Sequence, residues 1–191
     1  MLRKNDGGLV WSQGPNDHQK GSMYRLIRVK GGRPVSFTCL SHEPWGTDTH
    51  YYGGRTMPHM PAGCKACEAG RISEWHGWVI GQIDGTDERA VVEYTAAAAD
   101  IFINAYKKFR TLRGCRFRLQ RNNGKDNGRM SATLSDVQVD SKLLPKVPEI
   151  LPIMMSIWQI KLDLLPPPPT PRFLPNQLEL PATNGDHLSH D

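Results

Sequence analysis

No stretch of this 191-residue chain approaches the roughly 18 consecutive apolar residues that a membrane-crossing helix needs. The opening residues, Met1-Leu2-Arg3-Lys4-Asn5-Asp6-Gly7-Gly8, also lack the apolar run of a secretory signal. The expectation is a soluble cytoplasmic protein with no membrane partner. Cysteine is scarce, and two of the four stand in a Cys-x-x-Cys, which suits metal binding in a reducing compartment better than a disulfide framework. Catalytic signatures are missing too. There is no His-Glu-x-x-His, no deaminase His/Cys set with its glutamate, no Walker loop and no well-placed carboxylate pair, so an enzyme is not expected.

What is present is a 38% hydrophobic content, enough for one cored domain with appendages. The formal charge of +5 and pI near 9.1 suit a polyanionic partner without demanding one. Residues 1–21 are polar and glycine-rich, with Val10 and Trp11 as their only large apolar groups, and read as a flexible arm. Residues 22–140 read as a β-rich domain carrying an insertion at 41–73. Residues 141–164 form an apolar extension broken by Pro145, Pro148 and Pro152, leaving room for a short helix over 153–162. Residues 165–191 open on Pro166 to Pro169 and read as a disordered proline-rich tail.

Within the domain, residues 23–30 and 34–40 read as a hairpin turned at Gly31-Gly32, and strands are expected over 74–83 and 89–94. Thr95 would cap a helix running to about Arg113, with Ala98, Ile101, Phe102, Ala105, Phe109 and Leu112 on one face and Gly114 at its C-terminus. Cys115 to Gln120 alternates strictly, apolar on one side and Arg116, Arg118 and Gln120 on the other, and 129–139 is the returning strand.

The insertion has no helical or strand period, and a loop that long needs another source of order. Its Cys64-x-x-Cys67, preceded by His50 and His59, supplies the donors of a closed tetrahedral zinc site. Gly63 and Gly70 allow the backbone such a knuckle requires, and Pro58 and Pro61 stiffen the approach. Cys39 and His42 are rival ligands for the position given to His50. Neither cysteine of the pair is expected to begin a helix, which disfavours redox chemistry; Cys39 and Cys115 are expected as small core residues.

Two strands, a zinc loop, a strand, a helix and two further strands follow the order of an OB-fold, a five-stranded barrel with one helix. Such a barrel offers a groove for stacking bases beside a cationic track, so single-stranded DNA or RNA is the expected partner. Candidate stacking groups are Tyr24, Trp45, Tyr51, Tyr52, Trp75 and Trp78. Candidate phosphate contacts are Arg25, Arg28, Lys30, Arg55, Arg116, Arg118, Arg121, Lys125 and Arg129. The competing reading is a zinc-stabilised protein-interaction adaptor using the proline-rich tail.

A zinc knuckle set after the early strands of an OB barrel, with an arm before it and a tail after it, resembles the helix-destabilising single-stranded DNA-binding proteins of T-even phages. The resemblance rests on His50, Cys64 and Cys67 as motif and on residues 22–139 as architecture. It implies a structural zinc that steadies the groove, an arm that aids cooperative binding, and a tail that recruits replication or recombination proteins in a phage-infected cell. His59 stands where that family has cysteine, and the tail holds only Glu179, Asp186 and Asp191 against Arg172. Residues 49–67, followed by Trp75-His76-Gly77-Trp78, also resemble short uncharacterised proteins of phages and mobile elements.

Overall fold

A computed structural model describes residues 24–60 and 63–160. The arm at 1–21 and the tail at 165–191 lie outside the described residues. The elements run β1 (Arg25–Arg28), β2 (Val35–Cys39), β3 (Trp45–Tyr52), β4 (Arg55–Pro58), α1 (Lys65–Glu68), β5 (Glu74–Ile83), β6 (Arg89–Thr95), α2 (Ala96–Phe109), β7 (Cys115–Arg121), β8 (Met130–Gln138) and α3 (Ile150–Trp158). The protein is mainly β, as expected. Its eight strands form one sheet in the order β1-β6-β5-β2-β7-β8, with β3 and β4 branching from β5, and the sheet does not close into a barrel. No helix among the described residues is long and apolar enough to cross a membrane.

β5 organises the sheet. One edge pairs with β6 from His76 to Gln82, while the other receives β3 at Glu74 to Trp78 and β2 at Gly81 to Ile83. β2 and β3 therefore lie end to end along β5, and the backbone N–H groups of Leu40 and Ser41 both donate to the Ile80 carbonyl at the bend between them. β7 continues the sheet beyond β2, and β8 beyond β7.

The hairpin expected between the first two strands is not formed. β1 pairs in parallel with β6, Arg25 to Arg28 against Ala90 to Glu93, and only a Lys30–Arg33 bridge remains at the glycine turn. The turn signal is local, whereas apolar Leu26 gains more by joining Val91 in a buried cluster. The region expected to lack periodicity contains the β3–β4 hairpin and α1.

Period-2 alternation assigns the two sheet faces to two cores. Phe37, Val79, Val92, Tyr94, Phe117 and Leu119 meet Phe102 and Ala105 of α2, with Phe102 stacked between Tyr94 and Phe117 at centroid distances of 4.1 and 4.4 Å. On the opposite face, Leu40, Trp78, Ile80 and Val91 meet Ile153, Met154 and Trp158 of α3. The apolar extension is thus the cover of the second face. Its helix starts earlier than expected because Pro152 falls in the first turn, where a missing N–H costs nothing.

α2 ends sooner than its pattern suggests. Arg110, at φ 60°, closes the helix in the left-handed conformation and donates its N–H to the Tyr106 carbonyl at 2.7 Å, while Gly114, also at positive φ, lies beyond the helix. Leaving the helix there lets the Leu112 N–H reach the His42 carbonyl at 2.7 Å and buries the Leu112 side chain. Thr95 holds the capping backbone position but makes no side-chain cap bond. Opposite glycines Gly46 and Gly77 mark a close approach on the α2 face: a Cβ at Gly46 would strike the Trp75 ring, and one at Gly77 the Tyr94 ring.

Candidate metal centre and the cationic surface

β3 turns alternate side chains to opposite faces of its hairpin, so buried His50 and exposed Tyr51 follow one another on opposite sides. The chain returns along β4 and is tied at its exit by the His59 N–H to the Asp48 carbonyl, 2.7 Å. That tie brings His59 to His50, Nδ1 to Nε2 at 2.9 Å. α1 then delivers the thiols. Its single turn is closed by Glu68 N–H to the Cys64 carbonyl at 3.0 Å, and Gly70, at φ 68°, lets its own N–H cap Cys67 at 2.8 Å.

The result is a compact donor set. Cys67 Sγ lies 3.4 Å from His50 Nε2 and 3.5 Å from His59 Nδ1, and the donor atoms of His50, His59, Cys64 and Cys67 all fall within 4.8 Å of one another. Four such donors around a tetrahedral ion with ~2.0 Å N and ~2.3 Å S bonds would be separated by about 3.3–3.8 Å. The group therefore needs only a small adjustment to hold a divalent metal ion, the His50–His59 pair opening and the most distant donors closing. Buried His50 Nδ1 has no partner among the described residues.

Desolvation raises the Cys64 thiol, but backbone hydrogen bonds at Met60, Cys67 and Ala66 and one to the Cys67 side chain together bring it below its ordinary value. Cys67 is raised, first by desolvation and then by the hydrogen bond and charge of Cys64. Of the two, Cys64 is therefore the more readily ionised. Contrary to expectation, Cys64 does begin a helix, as the N-cap of α1. A redox pair needs no imidazoles, however, and here two stand against Cys67. The rival ligands are elsewhere. Cys39 is fully buried, and His42 Nδ1 is engaged with Thr111 Oγ1 at 3.3 Å.

The aromatic candidates divide sharply. Trp78 is fully buried and cannot offer a ring to a base: its place opposite Trp45 in the β3–β5 register turns it into the α3 core, where it meets Trp158 edge to face at 5.3 Å. Tyr24 is buried in the same cluster, and half-buried Trp45 packs on both Trp78 and Trp158. Half-buried Trp75 packs against Tyr94 at 5.8 Å. Tyr52 is half-buried, and Tyr51, at 67% exposure, is the accessible ring among the candidates.

The cations divide as well. Arg25 bonds Glu88, Arg28 bonds Glu93 at 3.3 Å, Arg116 bonds Asp84 at 2.7 Å, and Arg55 reaches Gln159 at 3.3 Å. Arg121 is spent on the backbone carbonyls of Val29 and Gly128. Lys30, Arg118, Lys125 and Arg129 are exposed and have no side-chain partner among the described residues. Arg116 and Arg118 do share the face opposite α2, as their alternation requires. Arg121 and Lys125 lie beside Gly31, Arg129 precedes β8 on the returning side of that loop, and Tyr51 and Arg55 stand apart on the β3–β4 hairpin.

Sequence reasoning passed over a cleft of about 150 Å³ beside the metal hairpin, lined in part by Thr49, Tyr51, Arg71, Ile72, Glu74 and His76. It is assembled from β3, β4, β5 and the link before β5, so no single motif announces it. Comparison with known protein families, characterised proteins and solved structures finds no match for this chain.

Proposed function

We propose that this protein binds single-stranded nucleic acid, DNA before RNA, with little sequence preference, and that a structural zinc ion steadies the binding surface. The observation that carries the reading is the β3–β4 hairpin: His50 and His59 face the donor cluster on one side, while Tyr51 offers an exposed ring on the other. A ring on a clamped hairpin stacks on a base at little entropic cost. Two imidazoles and two thiolates favour zinc among common intracellular ions.

The OB-like reading draws support from the strand order. Without β1 and β4, the path is β6-β5-β2-β7-β8, with β3 beside β2 along β5 and α2 linking β6 to β7. Taking β2 and β3 as halves of one long bent strand, we read this order as an OB-like sheet left open at one seam. Lys30, Arg118, Lys125 and Arg129, exposed and without a side-chain partner among the described residues, supply phosphate contacts. In keeping with the resemblance to the T-even phage proteins, the process we propose is replication or recombination of a phage or mobile element, with the tail as a recruiting segment.

The second reading, a zinc-stabilised interaction adaptor, draws on exposed Ile72, Val137 and Leu143. The deciding experiment is a salt series of anisotropy titrations with labelled oligodeoxythymidine and duplex DNA, using the metal-loaded full chain. Preference for the single strand with steep salt dependence supports the nucleic-acid reading, and no binding at low salt turns the assignment to the adaptor.

A further inference from the structure

We infer that the cleft beside the metal hairpin is a nucleobase subsite: one unstacked base of a bound single strand lies on the apolar surfaces of Tyr51 and Ile72, with Arg71 at its phosphate. This inference rests on the nucleic-acid reading and narrows it to one place on the molecule.

The space is ring-sized, for a cavity of about 150 Å³ is one that holds a benzene molecule. Two of the largest exposed apolar side chains line it, Tyr51 at 67% and Ile72 at 86% exposure. Both leave apolar surface in water that a planar heterocycle would cover. Their setting is polar. The guanidinium of Arg71 has no partner among the described residues, and the Glu74 side chain is exposed to solvent.

His76 is held in one orientation. The Thr49 hydroxyl donates its only proton to the Glu74 carbonyl at 3.0 Å, so at 2.7 Å it accepts from Nδ1–H of His76. His76 Nε2 is left as an acceptor. Acceptors at Glu74 and His76 and a donor at Arg71 match the mixed edge of a base and its phosphate. The apolar side chain of a protein partner would fill the ring space and leave these groups unused.

The test uses the metal-loaded full chain and oligodeoxythymidine carrying 5-iodouracil, photocrosslinked and mapped by mass spectrometry, with affinities measured by anisotropy. Cross-linking is expected at Tyr51. Tyr51→Ala should weaken binding about tenfold while Tyr51→Phe keeps it, as expected for loss of one stacked base. Arg71→Ala should lower the salt slope by about one. Metal content and far-UV circular dichroism check each variant's fold; should Tyr51→Ala lose metal, Ile72→Ala, at a site outside every helix and strand, carries the same test. Wild-type affinity in Tyr51→Ala, with cross-links elsewhere, overturns the subsite and leaves the nucleic-acid reading standing. Failure of the unaltered protein to hold the strand at low salt overturns both.

Discussion

His50 Nε2 and His59 Nδ1 stand 2.9 Å apart although the whole β3–β4 turn separates them in the chain. Nothing apolar explains that approach. The hairpin brings two imidazoles within hydrogen-bond reach of each other and of Cys67, and a metal ion held among them would add its binding energy to the fold.

Purified protein is accordingly expected to carry one zinc ion per chain, and Cys67→Ser to lose it. Because the hairpin and α1 have few buried apolar side chains, amide exchange over residues 45–60 should accelerate in that variant, while β5 and β6, packed on both cores, stay protected. Metal analysis with hydrogen exchange reads both effects. A metal-free native protein whose melting temperature ignores chelator would sink this account.

A second prediction concerns Arg113. Its guanidinium donates to the carbonyls of Leu40, Ser141, Leu144 and Pro145, at distances from 2.7 to 3.3 Å, and so fastens the segment leading to α3 onto the sheet. Arg113→Ala should cost about 2–4 kcal/mol, since several part-buried carbonyls lose a charged donor together. Arg113→Lys should recover only part, because an ammonium cannot reach in four directions from a planar fork. Urea unfolding measures both.

Arg113 also shows where the sequence is silent. Read locally, it is a cation near a helix C-terminus; its actual partners lie some thirty residues downstream and more than seventy upstream. The alternation from Cys115 to Gln120 was legible because a period of two with one buried face leaves a direct trace, and α2 for the analogous reason. The Cys and His residues of the knuckle were legible as chemistry. β3 was not, since both its faces are occupied, one by tryptophans and the other by the donor cluster, so polar Thr49 and His50 sit buried where a strand pattern calls for apolar residues. The parallel β1–β6 pairing left no local trace at all, and the glycine turn pointed to the wrong partner. Trp78 carried no sign of which face it took until β3 gave it Trp45 as neighbour.

Trp158 anchors the extension. It meets Trp45 and Trp78 at 5.8 and 5.3 Å and is 2% exposed. Trp158→Ala should destabilise by about 3–5 kcal/mol. Limited proteolysis should then cut between Leu144 and Glu149 while the sheet survives. Resistance at that segment together with unchanged stability would show that α3 is held by other means.

On the cationic face, Arg116 and Arg118 are not equivalent. Asp84 already neutralises Arg116, whereas Arg118 is exposed with no partner among the described residues. Arg118→Ala should therefore flatten the salt dependence of oligonucleotide binding by close to one contact's worth, and Arg116→Ala by less. An equal effect from both, or none from either, would show that this face is solvated surface and carries no strand.

The last prediction concerns alkaline pH. Burial pushes the Cys39 thiol well above its ordinary value of 9.0, opposed only in part by its contact with the Ser41 carbonyl, and burial also raises Cys115 and Tyr94. In the unfolded chain these groups ionise at their ordinary values, while in the folded protein they keep their protons. Above that range the folded state binds more protons than the unfolded state, so stability falls as pH rises. The contribution is whole below pH 9.0 and is lost as pH climbs toward the raised folded values. Cys39 alone should contribute a slope of about 1.4 kcal/mol per pH unit. Cys39→Ser keeps the shape and a donor for Ser41 but does not ionise in this range, so its urea midpoint should fall less steeply between pH 9 and 10, set by the ordinary thiol and phenol values. Identical alkaline limbs for the two proteins would mean that the Cys39 thiol is not shielded in the folded state.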